Sequence, residues 1–152
     1  MRAICRIGAM LATVGALCAA GESPADAIDV RAAWTPPSAS KGGDTPLFMT
    51  IVSRAEAPDN LVRARCDVAD FTEKHTVDRG EGGLAMREVR AIPIPPGQTV
   101  TLAPGGYHVM LLHIKQPLAV GDTFACSITF QKAGEKRVEV KVASEGAPAA
   151  GH

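Results

Sequence analysis

The stretch Thr123-Phe-Ala-Cys-Ser-Ile-Thr-Phe130 decides the fold, because every second residue from Phe124 on (Phe124, Cys126, Ile128, Phe130) is apolar. A spacing of two puts side chains on one face of a β-strand, whereas a helix would scatter these four around its circumference. The same alternation in Leu61-Val-Arg-Ala-Arg-Cys66 groups Val62, Ala64 and Cys66 on one face and sends Arg63 and Arg65 to the other. Outward from these two, residues 28–34, 46–53, 71–77, 84–90, 99–102, 108–114 and 137–142 also read as strands, with the first two segments extending over 123–131 and 61–68. Turn signals separate them: Pro58-Asp-Asn60, Arg79-Gly-Glu-Gly-Gly83, Pro95-Pro-Gly97, Pro104-Gly-Gly106 and Ala133-Gly-Glu135. No helical period appears beyond the first 27 residues. Many short strands at this spacing predict an all-β domain, an antiparallel sandwich or barrel.

The 152 residues suffice for one domain with a proper core and are too few for two of ordinary size. Arg2 and Arg6 precede a 14-residue apolar stretch (7–20), and a short polar region then ends in Ala25-Asp-Ala27, the order of a cleaved secretory signal peptide. As a helix that stretch rises about 21 Å, short of a hydrocarbon core of about 30 Å, so no stable membrane insertion is expected after cleavage. Leu17 is too bulky before Cys18 for a lipid-attachment site. The expected organisation is a leader over 1–27, a domain over 28–143 and a flexible tail over 144–152. Lysine and arginine together number 16, as do aspartate and glutamate, without long runs, so no basic stripe points to nucleic acid.

Removal of the leader takes Cys5 and Cys18 with it and leaves Cys66 and Cys126, in an exported, oxidising setting. Both fall on the core side of their strands, where two packed sheets can bring them together in an inter-sheet disulfide, contributing about 4 kcal/mol on a chain-entropy estimate. Two buried inert thiols, or thiolates engaged in redox or metal work, are the alternatives.

Four residues carry the functional signal: His75, ten residues, Met86, twenty-one residues, then His108-Val-Met110. Imidazoles and thioethers suit a soft ion such as Cu(I) better than Zn²⁺, Mg²⁺ or Ca²⁺. His108 and Met110, two apart on a strand, leave the same face. His75 and Met86 flank the glycine-rich turn of a hairpin. Alone, each methionine reads as core filler and each histidine as a structural or surface group. Their joint occurrence matters because the chain beyond the leader holds only Met49, Met86 and Met110 and four histidines. His113, at odd spacing from His108, is expected on the opposite face, in surface or partner contact. Leu47, Met49 and Ile51 share a face that reads as core.

This spacing resembles the copper-binding signature of the PCuAC (DUF461) family of periplasmic copper chaperones. Further stretches resemble the family as well: Ala33-Trp34, Phe48-Met-Thr-Ile51, Ile94-Pro-Pro-Gly97, Leu102-Ala-Pro-Gly-Gly106, Leu118-Ala-Val-Gly-Asp122 and Ile128-Thr-Phe130. The resemblance implies a cupredoxin-like, antiparallel Greek-key β-sandwich in the periplasm. It implies one Cu(I) on His75, Met86, His108 and Met110, delivered to a copper-accepting assembly factor or oxidase subunit for the copper centre of a terminal respiratory oxidase. The chain departs from the family pattern at Thr76, where many relatives carry a second Met or an acidic residue. It departs again at Leu84, where some carry a Met, and at its end, where only His152 stands in place of a His- and Met-rich tail.

Other function classes fare worse. An electron-transfer blue-copper site needs a cysteine thiolate with two histidines, and both cysteines lie outside the signature. A metal-free structural sandwich is the remaining binding-class alternative. No Ser-His-Asp set, paired carboxylates or phosphate loop suggests an enzyme.

Overall fold

The computed structural model describes residues 23–144, which contain ten strands and no helix. In chain order these are β1 (Ile28–Thr35), β2 (Thr45–Ser53), β3 (Asp59–Cys66), β4 (Ala69–Gly80), β5 (Gly83–Glu88), β6 (Ile92–Ile94), β7 (Thr99–Leu102), β8 (His108–Ile114), β9 (Thr123–Phe130) and β10 (Gly134–Val142). They hydrogen-bond in the order β5-β4-β8-β2-β1-β10-β9-β3-β6, with β7 added on β2. β2 is shared between two sheets: Thr45 to Leu47 pair with β8, and Met49 to Val52 with β7. β3 and β4 lie far apart in this order, yet only Asp67 and Val68 separate them in the chain. The array therefore curls until β4 returns to β3, where the Thr72 hydroxyl donates to the Ala64 carbonyl. That curl encloses the core of an all-β sandwich.

The core is built as the alternation predicts. Leu47, Met49 and Ile51 of β2, Val109 and Leu111 of β8, and Cys126, Ile128 and Phe130 of β9 are all buried, which confirms Met49 as a core residue. The details differ in four places. On β3 the register slips between Leu61 and Arg63, so Leu61 is buried and Val62 only partly so; a bulge interrupts the simple period there. β6, Ile92-Pro-Ile94, was absent from the sequence reading because it is three residues long and carries a proline, which an edge strand tolerates. The first and last strands, β1 and β10, run parallel (Trp34 beside Lys141, Thr35 beside Val142) within an otherwise antiparallel array. The connection between them is nearly the whole domain.

The fourth difference concerns the cysteines. Cys66 and Cys126 form a disulfide, but they face each other directly in the β3–β9 ladder, so the bond joins neighbouring strands of one sheet rather than two sheets. Their Cα atoms are 4.2 Å apart, the close approach of a non-hydrogen-bonded antiparallel pair. The hairpin-like ladder supplied the proximity that sheet packing was expected to supply. Ahead of β1, Ala27 is buried and its carbonyl accepts the Arg54 N–H, one rung beyond Ile28. Residues 1–22 and 145–152, most of the expected leader (1–27) and tail (144–152), lie outside the described residues.

Closing a loop across 60 residues stabilises the folded state by about 4 kcal/mol on the chain-entropy estimate. Urea unfolding of the Cys66→Ala/Cys126→Ala variant is expected to show a loss of about that size, and a loss below about 1 kcal/mol would remove the staple from the account of stability.

Candidate metal centre

The antiparallel register between β4 and β8 sets His75 directly opposite His108 and Glu73 opposite Met110. The register between β4 and β5 sets Met86 opposite Val77. Residues that face each other across a ladder share a side of the sheet, as do residues two apart on a strand. All four signature residues therefore lie on one face. Met110 and Met86 sit on opposite diagonals of His75, each about 7–8 Å away between Cα atoms in a regular sheet. The strand positions of the two methionines thus flank the imidazole pair on either side.

Turns hold these residues in position. Gly83 closes the β4–β5 hairpin with φ at +100°, a conformation open to glycine without steric cost. Before β8, Ala103 to Gly106 form a turn in which the Gly106 N–H donates to the Ala103 carbonyl at 3.1 Å. Gly106 then turns its own carbonyl to His108, whose Nδ1 lies 3.0 Å away. A carbonyl only accepts, so Nδ1 carries the proton and Nε2 keeps its lone pair.

His108 is 4% exposed. Its ring lies 6.3 Å from that of Phe48, against which Trp34 packs at 4.9 Å. Trp34 reaches Phe48 through a bulge in β1: Ala32 adopts φ of +50° and the register slips by one between Arg31 and Trp34. The aromatic pair walls one side of the histidine.

His75 is the more accessible imidazole, its side chain 15% exposed, with its ring 5.7 Å from that of His108 in an edge-on arrangement. Its Nε2 lies 2.9 Å from a Glu73 carboxylate oxygen. Its Nδ1 is buried and has no hydrogen-bond partner. A buried polar atom without a partner costs about 1–3 kcal/mol, so this nitrogen is unsatisfied until something binds it. Two imidazole lone pairs beside thioethers fit a soft ion. Among the described residues no group of three or more His, Cys, Asp or Glu offers an alternative cage for a metal.

Met86 stands apart from the other three. It is 63% exposed on β5, the outermost strand of its sheet, and exposed Leu84 and Phe71 share its face. His113 is exposed, and its φ of +53° breaks the strand's alternation and turns its ring edge-on to Phe71 at 5.9 Å. It stays a surface residue outside the imidazole pair. Sequence reasoning missed Glu73, two residues before His75, as well as the Phe48–Trp34 wall and the Gly106 carbonyl. Only Glu73 carries a local signal, an acidic residue at same-face spacing from a candidate ligand.

A family described as LpqE-like ("Putative lipoprotein LpqE-like") matches residues 28–142. The chain belongs to this LpqE-like, PCuAC family. It is 30% identical over 119 residues to "Putative lipoprotein Lxx21020" of Leifsonia xyli subsp. xyli (strain CTCB07), covering 78% of this chain and 70% of that protein. Among solved structures it is similar to the copper-bound PCuAC domain from PmoF2, with 27% identity, a TM-score of 0.67, and 78% of this chain and 94% of the other covered. It is also similar to the Cu(I) form of DR1885 from Deinococcus radiodurans, with 28% identity, a TM-score of 0.59, and 76% and 78% covered. Members of the PCuAC family thus bind copper, on the fold described above. No helix among the described residues is long and apolar enough to cross a membrane.

The hairpin that carries Met86 is braced on its other face, where Arg87 Nε donates to Asp78 Oδ2 at 2.6 Å. This hydrogen bond, with the guanidinium charge, holds the Asp78 carboxyl below the ordinary carboxylate range. A depressed folded-state value means that the unfolded chain takes up the proton first. The brace is therefore complete above the ordinary carboxylate range and is lost as pH falls through the lowered Asp78 value. Amide exchange across β5 in this PCuAC domain is expected to keep the same protection from neutral pH to pH about 5, where carboxylates of ordinary pKa remain ionised, and to drop slightly in stronger acid, because an exposed pair contributes little. Asp78→Asn should weaken protection throughout, and an acid profile indistinguishable from wild type would overturn the assignment.

Proposed function

We propose that this chain is an exported periplasmic copper chaperone that carries one Cu(I) on His75, Met86, His108 and Met110. One observation carries the reading: two imidazoles face each other at 5.7 Å, one with a buried and unpartnered Nδ1, on the sheet face that also bears both methionines. Copper-bound relatives in the same family support it.

The donor set suits a carrier. Imidazole and thioether ligands are neutral, and thioethers release copper more readily than thiolates. His108 is buried and fixed by Gly106, whereas Met86 lies exposed at the sheet edge, so the ion is held firmly at one end and is open at the other. An incoming sulfur or imidazole from an acceptor would enter at the Met86 side, share the ion, and take it as the methionines leave. No substrate bond breaks, and the reading involves no enzyme activity. The acceptor would be a copper-accepting assembly factor or oxidase subunit in the assembly of a terminal respiratory oxidase. A blue-copper role is disfavoured because Cys66 and Cys126 are bonded to each other, leaving neither as a thiolate ligand.

Anaerobic Cu(I) titration against a chromophoric chelator tests the site. The protein is expected to compete for one equivalent, with His108→Ala losing most of its competition and Met110→Ala weakening binding at least tenfold, about 1.4 kcal/mol. Met86→Ala should weaken it less, because that exposed side chain must first swing toward the ion. Unchanged competition in both methionine variants would sink the four-ligand site, and no competition by wild type would leave a metal-free sandwich.

Export by a cleaved leader over residues 1–27 completes the proposal. The intact mass of protein recovered from a periplasmic extract is expected to match a chain beginning at Ile28. Recovery of the full-length mass would refute processing.

A further inference from the structure

We infer that Glu73 selects the metal-binding nitrogen of His75, so that copper is taken by Nδ1 of His75 and Nε2 of His108. This rests on the copper-carrier reading and assigns a positioning residue that the four-ligand signature does not contain. The Glu73 carboxylate, 2.9 Å from Nε2 of His75, accepts but cannot donate while ionised. The Nε2–H tautomer satisfies this contact and leaves the Nδ1 lone pair free. The other tautomer would set an Nε2 lone pair against a carboxylate and bury an unpartnered N–H at Nδ1. Nδ1 lacks a partner in either case, so the Glu73 contact decides between them.

Other contacts reinforce the selection. Glu73 and His75 are two apart on β4 and so share a face, and the residue opposite Glu73 in the ladder is Met110, whose thioether offers the carboxylate no proton. At His108 the Gly106 carbonyl does the equivalent job from the opposite nitrogen. The two imidazoles are thereby set in opposite tautomers. Their outer partners also differ in charge, since Gly106 is neutral and Glu73 is anionic. A carboxylate behind a ligating imidazole raises its basicity, and here it also offsets the single positive charge that Cu(I) brings to four neutral ligands.

The test reads the tautomer before any metal is added. Long-range ¹H–¹⁵N correlation of the metal-free protein, at a pH where imidazoles are neutral, is expected to show His75 protonated at Nε2. Glu73→Ala should shift it toward a mixture, and so should Glu73→Gln, whose amide can donate as well as accept and so satisfies either tautomer. On adding Cu(I), the His75 Nδ1 resonance is expected to move more than Nε2. Affinity should fall about tenfold or more in Glu73→Ala, the range seen for lost outer partners of metal ligands, and fall less in Glu73→Gln, which keeps a partner at Nε2 but loses the charge. Thermal unfolding should be alike in all three. An unaltered tautomer in Glu73→Ala, or a larger Cu(I) shift at Nε2, overturns the inference. Failure of the wild type to bind Cu(I) overturns the carrier reading and the ligand role with it, while the metal-free spectra separately decide whether Glu73 sets the tautomer.

Discussion

The ladder between β4 and β8 is the constraint on which the rest of the structure depends. On β8, Val109 and Leu111 point into the core and are fully buried, and the residues between them, His108 and Met110, are forced to the other face. A slip of one residue would turn two large aliphatic side chains out of the core and put an imidazole and a thioether in their place, so the core itself enforces the register. Each aliphatic side chain contributes about 1.5–3 kcal/mol on burial, far more than any ligand contact in the metal-free protein. The imidazole pair thus inherits its geometry from hydrophobic packing on the opposite side of the same strand.

The two ends of the site differ in rigidity for physical reasons. His108 opens the interior strand β8, beside Phe48, against which Trp34 packs, and after a turn whose Gly106 carbonyl accepts from its ring. Met86 sits on an edge strand joined to the body by β4 alone, with an exposed Asp78–Arg87 pair bracing its hairpin. Exposed ion pairs contribute little, and salt screens them. The proposed carrier role would call for this combination, because a uniformly rigid cage would hold its cargo and a uniformly loose one would not select it. Leu84, exposed beside Met86 on the same face, adds apolar surface at the open end.

Several features were legible in sequence because they depend on local periodicity. The alternation in 123–130 and over 108–111 assigned strands and faces correctly, and it separated His108 and Met110 from Met49, until the positive φ of His113 interrupted it. Interruptions of the period were not legible. The bulge at Val62 and the one at Ala32 arise from how neighbouring strands fit, and a single strand carries no record of its neighbour's register. β6 is too short to show a period. The parallel β1–β10 pair and the in-sheet position of the disulfide follow from strand order, which is decided by the packing of the entire chain.

By itself the sequence determined the all-β class, the separation of core face from ligand face, the proximity of His108 to Met110, and a donor set matched to a soft ion. These follow from residue type and a repeat of two. Only the tertiary structure decided that His75 meets His108, that Nδ1 of His75 is buried without a partner, that Glu73 stands behind that ring, and that Cys66 meets Cys126 across one ladder. Each joins residues through a pairing register, and a register is chosen by the burial of all strands together rather than by any one of them.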